Sequence, residues 1–182
     1  AKRESIFNMF NPNQKTNPNS PRGPQRGGPR RMMPKRVTEF KERVLEVRRV
    51  TRVVAGGKRF SFRATVVAGD MKGRVGIGTA KGLDFSAAVQ KATRQAEKGM
   101  VRINLKDGRT VPYEINAKYD AARVRIKPAK AGHGLIAGGS LRVVLELVGI
   151  KDVSAKIIGT TKNKIANARA GIKALQSIEA VN

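Results

Sequence analysis

Two glycine-rich stretches hold the residues whose types and spacing could do chemistry. The first, "KGRVGIGTAKG", runs from Lys72 to Gly82 and sets four glycines among three cations. Glycine loops of this kind can cradle phosphates with exposed backbone N–H groups, so a nucleotide site has to be tested first. A phosphate-clamping loop requires Gly-Lys-Ser/Thr in register, whereas Lys81 follows Ala80 and precedes Gly82. A dinucleotide loop needs a third glycine where Lys81 stands, and the surrounding pattern is that of antiparallel strands rather than a βαβ crossover. Two readings remain: backbone N–H groups and a lysine beside a helix start, favouring any phosphate, or glycines needed for a bulge and close packing.

The second stretch, "KPAKAGHGLIAGGSLRVVLEL", resembles the phosphate loop and helix of small-molecule kinases of the galactokinase and homoserine kinase type. Those enzymes also need carboxylates to hold magnesium and act as base. Residues 121–182 offer only Glu146, Asp152 and Glu179, and Glu146 reads as solvated or paired. His133 is the sole histidine and cysteine is absent, which removes disulfides, thiolate sites and most nucleophile pairs. Between Gly132 and Gly134, His133 reads as an exposed loop residue facing solvent or phosphate. No enzyme, metal or cofactor is expected.

The chain's charge points elsewhere. Its 182 residues carry 38 Lys and Arg against 13 Asp and Glu, a formal charge of +25, and such a field favours polyanions. The excess is distributed: 9 basic and 2 acidic residues over 1–40, 18 and 8 over 41–120, 11 and 3 over 121–182. Nucleic acid is the first candidate partner and an anionic membrane surface the second. No run nears the roughly 18 apolar residues of a membrane span, and the N-terminal residues lack the apolar core of a secretory signal. A cytosolic or organellar location is expected.

Around these motifs the elements follow from pattern. Residues 1–36 hold six of the eight prolines and read as a tail. It is either solvated or a basic arm whose Arg26, Arg30, Arg31, Lys35 and Arg36 order along RNA phosphates. "FKERVLEVRRVTRVV" and "RFSFRATVVA" read as strands joined at Gly56 and Gly57. "GDMKG" is the next turn and "RVGIGTA" a third strand. "LDFSAAVQKATRQAEKG" reads as a helix with Ala87, Ala88, Val89, Ala92 and Ala96 at helical spacing, Asp84 or Ser86 as N-cap and Gly99 at its end. Strands follow with a turn at Asp107 and Gly108, then a helix near 139–149, the short strand "VSAKIIG", and a last helix near 162–178 with Ile165, Ala168, Ile172 and Leu175 on one face. Phe60 and Phe62 read as core residues alternating with Arg59, Ser61 and Arg63.

The fold class is therefore α+β, with a basic arm over 1–36 and two domains over 37–105 and 106–182. The RNA-phosphate candidates on the first hairpin are Arg48, Arg49, Arg52, Lys58, Arg59 and Arg63, with Gly56 and Gly57 at its turn. Lys72, Arg74 and Lys81 follow, and then Lys127, Lys130 and His133. Binding is expected to read folded RNA shape more than base sequence. A free double-stranded-RNA-binding chaperone or regulator is the alternative from another class.

"GGKRFSFRATVVAGDMKGRVGIGTAKG", then "AAVQKA", and later "KPAKAGHGLIAGGSLRVVLELVGIKDVSAK" resemble the two signature segments of the small-subunit ribosomal protein S-five family, over about residues 40–177. The resemblance implies an N-terminal domain similar to the double-stranded RNA-binding domain and a βαβα C-terminal domain whose fold is shared with the kinases above. It implies a structural constituent of the small ribosomal subunit that binds rRNA near the central pseudoknot and neck, beside the channel through which mRNA enters. It also implies contacts with S-four and S-eight family proteins, and no homo-oligomer. The S-four-type interface maps onto Lys130, Gly132, Gly134, Gly138, Gly139 and Arg142, through which the family influences decoding accuracy. The hairpin at 51–59 maps onto the segment tied to spectinomycin response. Phe85 and Ser86 replace the family's usual Val-Pro, and "TTKNKIANARAG" lacks its usual proline.

Overall fold

The computed structural model describes residues 39–178. A four-stranded antiparallel sheet comes first, in the order β1 (Lys41–Val54), β2 (Gly57–Gly69), β3 (Arg74–Gly82), β4 (Val101–Arg102), with helix α1 (Phe85–Lys98) packed on one face. A second sheet follows, ordered β5 (Ile115–Tyr119), β6 (Ala122–Pro128), β8 (Val153–Ile157), β7 (Leu135–Ile136). Strands β7 and β8 are parallel and linked through α2 (Gly139–Val148), and α3 (Lys164–Gln176) follows β8. This is the two-sheet α+β class expected from the sequence.

The glycines of β3 are explained by α1. A Cβ on Gly76 would collide with the Ala96 carbonyl and one on Gly78 with the Ala92 carbonyl, while one on Gly82 would sit 2.6 Å from the Ala88 amide. Ala88, Ala92 and Ala96 are themselves fully buried. Small residues on both elements let the helix backbone lie directly on the strand, so close packing accounts for these glycines without a phosphate.

The other face of the first sheet meets the second half of the chain. Val67, Val75 and Ile103 share one buried cluster with Leu141, Val144, Leu145 and Val148 of α2 and Leu175 of α3. Strand β2 is thus covered on both sides near its Gly69 end. The joint is completed by hydrogen bonds: the backbone N–H groups of Met71 and Gly73, in the β2–β3 turn, donate to the carbonyls of Leu147 and Val148 at 3.0 and 2.9 Å. The Arg43 guanidinium adds an exposed ion pair to Glu146 of α2 at 2.8 Å, so Glu146 is paired.

Some local expectations shift. The first hairpin turns at Ala55 and Gly56, because Val54 pairs with Gly57, whose φ of 137° places the left-handed requirement there. Asp84 occupies the N-cap of α1 but offers no side-chain bond, and Gly99 caps the C-terminus at a φ of −101°, outside the left-handed region. Asn163 caps α3 by accepting from the amides of Ile165 and Ala166, so that helix starts without the proline. Phe60 is a correction: it is 48% exposed, because it lies beyond the part of β2 that α1 covers. Only Phe62 packs against the Ala64, Val66, Ala88 and Ala92 cluster.

Gly78→Ala should destabilise the fold by about 1–3 kcal/mol, the cost of overpacking a close helix-strand contact. Gly56→Ala, whose added Cβ meets nothing within 4 Å, should be close to neutral. Thermal unfolding of the two variants checks the contrast.

Candidate nucleic-acid interface

Strand register decides which cations share a face. Arg48 lies opposite Arg63 and Arg52 opposite Arg59, while Lys81 of β3 lies opposite Arg63 on its other side. Directly paired residues project to the same face. Arg48, Arg63 and Lys81 therefore form a row across three strands, and Arg52 and Arg59 a second row nearer the hairpin tip. This face is the continuation of the one that carries Val67 and Ile77 toward α2 and α3. Just inside the row, Thr65 and Thr79 approach Oγ1 to Oγ1 at 3.3 Å, with Thr65 buried.

Like charges placed directly opposite each other oppose pairing, and little here neutralises them. Glu46 forms an ion pair with Arg48 at 2.8 Å, but among the described residues Arg52, Arg59, Arg63 and Lys81 make no ion pair. All are at least partly exposed. The arrangement can neutralise a polyanion laid across the strands.

The remaining hairpin candidates are separated from this face. Arg49 lies opposite Phe62 and Lys58 opposite Val53, on the α1 side of the sheet. There the Arg49 guanidinium covers the exposed Phe60 ring at 4.5 Å from its centroid. Lys72 and Arg74 sit at the far end of β3 from Lys81, roughly 23 Å away at 3.3 Å per residue. Arg74 is also engaged: its Nε donates to Asp70 at 2.7 Å, and the same carboxylate accepts the amides of Lys72 and Arg74 at 2.8 and 2.9 Å. Burial is the largest single influence on Asp70 and opposes its ionisation. The Arg74 and Lys72 amides and the Arg74 guanidinium together still hold the carboxyl below its usual value.

In the second half, Lys127 and Arg125 both pair with Glu114 at 3.3 Å. Lys130, His133 and Arg142 are exposed. The loop that bears His133 is held from below by Asp152, which stands out in the sequence only as a scarce carboxylate. Its Oδ1 accepts the amides of Gly132 and Gly134 at 3.0 and 3.1 Å, and its Oδ2 accepts from Arg109 at 3.0 and 3.2 Å. Gly132 and Gly134 adopt φ of 88° and 80°, which lets both amides point at one carboxylate. Gly138 is the N-cap of α2, and Gly139 opens that helix with a φ of 37°. Arg26, Arg30, Arg31, Lys35 and Arg36 lie outside the described residues. Among the described residues no group of three or more metal-ligating side chains is found, and no helix is long and apolar enough to cross a membrane.

Fold and face together define a basic α+β protein with a row of cations across its first sheet. Comparison with known proteins gives the family. Residues 40–104 match the family described as Ribosomal protein S5, N-terminal domain, and residues 117–182 match Ribosomal protein S5, C-terminal domain. The small ribosomal subunit protein uS5 of Lawsonia intracellularis is 47% identical over 145 residues, 79% of this chain and 88% of that protein. The small ribosomal subunit protein uS5c of Guillardia theta is 46% identical over 138 residues, 76% of this chain and 81% of that one. The uS5 of Gloeobacter violaceus is 47% identical over 145 residues, 80% of this chain, and the matched part spans 65% of that relative's length. The chain belongs to the ribosomal protein S5 family, a family of structural, non-enzymatic proteins of the small ribosomal subunit.

Asp152 yields a pH prediction. The Gly134 amide is the largest influence on its carboxyl; burial opposes ionisation, and the Arg109 guanidinium and Gly132 amide join in holding it below the usual value. A carboxyl lowered in the folded state stabilises the loop fully above its unfolded pKa, and that contribution is lost as pH falls through the folded pKa. Acid titration should therefore release the Gly132 and Gly134 amides from exchange protection only below the ordinary carboxylate range. Asp152→Asn should weaken that protection at neutral pH. Amide exchange by NMR reads both.

Proposed function

We propose that this chain binds small-subunit rRNA through the cationic face of its first sheet, and that the loop and helix start at 130–142 face a neighbouring ribosomal protein. The observation that carries the reading is the row Arg48, Arg63 and Lys81 backed by Arg52 and Arg59. A sheet that holds like charges in register is relieved by phosphates, and phosphate neutralisation supplies affinity that falls steeply with salt. The contacts are expected to read RNA shape and backbone, since cations on a flat strand face reach phosphates more readily than base edges.

The finer assignments rest on the family. The partner at Lys130, Gly132, Gly134, Gly138, Gly139 and Arg142 is an S-four-type protein, with an S-eight-type protein and the incoming mRNA nearby. The Asp152 clamp supports this reading, because an interface loop pinned at two amides costs less ordering entropy on docking. Work in the ribosome, in the cytoplasm or an organelle, follows from the family.

Replacing Arg48, Arg63 and Lys81 together by Gln should weaken rRNA binding and flatten the plot of log affinity against log salt by about one unit for each phosphate no longer neutralised. Filter binding over a salt series measures it. Unchanged affinity and slope would remove the sheet face from the interface. Deleting residues 1–36 should flatten the slope further and open rRNA positions to chemical probing in assembled subunits; unchanged footprints would make the arm a solvated extension.

A further inference from the structure

A cleft of about 300 Å³ opens where the cationic sheet face meets the second half of the chain, lined by Ile77, Tyr119, Arg169, Ile172, Lys173 and Gln176. Four of these come from α3 at spacings i, i+3, i+4 and i+7, so one stripe of that helix forms a wall. Ile77 of β3 and Tyr119 of β5 supply the rest. Arg169 donates from Nη1 to the Tyr119 hydroxyl at 2.8 Å, and its guanidinium carbon lies 5.6 Å from the ring centroid. The guanidinium is thus held as a fixed plane beside an aromatic ring, while Arg169 and Lys173 remain exposed to solvent.

Among the described residues no carboxylate lines the cleft. Apolar walls, a held guanidinium and a second cation match a flat group with an anionic tether. An unpaired nucleotide has that chemistry: its base stacks on aromatic or guanidinium planes and its phosphate seeks a cation. Position favours the same occupant, because Ile77 shares its strand face with Thr79 and Lys81, and Lys81 belongs to the cationic row. We propose that this cleft receives an unpaired nucleotide of the bound RNA, stacked against Arg169 and Tyr119 with its phosphate on Lys173. The proposal rests on RNA being the polyanion of the sheet face, and adds a single-stranded subsite to it.

The chain contains two tyrosines and no tryptophan, so in full-length protein carrying Tyr113→Phe the fluorescence comes from Tyr119 alone. Titration with a single-stranded RNA tetranucleotide should quench it. Arg169→Gln combined with Lys173→Gln should raise the tetranucleotide Kd about tenfold or more, while affinity for an RNA duplex of roughly 16 base pairs changes little. Both residues are exposed, so the fold should survive, which far-UV circular dichroism verifies. Absence of quenching, or an unchanged tetranucleotide Kd in the double variant, would overturn the proposal and leave the cleft to a protein segment. Quenching without duplex binding would strike the sheet-face reading and uphold the cleft.

Discussion

The carbonyls at the end of α2 are the constraint on which the arrangement of the two sheets depends. A helix leaves its last four carbonyls without partners, and here those belong to Leu145, Glu146, Leu147 and Val148. Ile150 and Gly149 satisfy the first two in a left-handed cap, with Gly149 at a φ of 97°. The other two belong to buried residues in the joint and accept the Met71 and Gly73 amides of the β2–β3 turn. The turn can do this because Asp70 takes the intervening amides, those of Lys72 and Arg74, leaving Met71 and Gly73 to point outward. A joint packed this way without the Met71 and Gly73 amides would strand two carbonyls in an apolar cluster, at roughly 1–3 kcal/mol for each unsatisfied group.

With that joint fixed, the first sheet has little freedom relative to α3, and the exposed part of its inner face becomes one wall of a concave surface. The outer face is fixed by α1. Two residues of strand advance about 6.6 Å and four residues of helix about 6 Å, so Gly76 and Gly78 can meet Ala96 and Ala92 in step. A side chain at either glycine would lift the helix off the strand at both positions. The glycine-rich stretch from Lys72 to Gly82 is therefore spent on packing, and its Lys81 joins the cationic row through strand register rather than loop geometry.

This is also where the sequence is legible and where it stops being so. Strand and helix periodicity, the GDMKG turn and the two-sheet class can be read because each depends on local pattern. The face of each cation is less accessible. Pairing Arg48 with Arg63 follows in unbroken register from the two-residue turn at Ala55 and Gly56, so reading the turn one residue later, at Gly56 and Gly57, moves every pair. Phe60 keeps the alternation of its buried neighbours yet sits where α1 no longer covers the strand, so period alone misplaces it. Asp152 carries a signal that could have found it: a lone acid among apolar residues in a strongly basic half calls for buried partners. Those partners are backbone amides 18 and 20 residues away, which side-chain patterns do not reveal.

The placement of the acids supports reading the excess positive charge as a binding surface rather than a merely solvated one. Glu46, Asp70, Glu114, Glu146 and Asp152 all take part in ion pairs within the fold. Asp70 and Asp152 also organise turns, and Glu146 ties α2 to β1. These five carboxylates are placed where the chain is held, and among the described residues the face running from Thr65 to the hairpin tip carries only Glu46. A stability-driven surface would intersperse both signs there, since opposed like charges weaken a sheet. The segregation makes sense when the missing counter-charge comes with the partner, which on the proposed reading is an RNA phosphate backbone laid along the row.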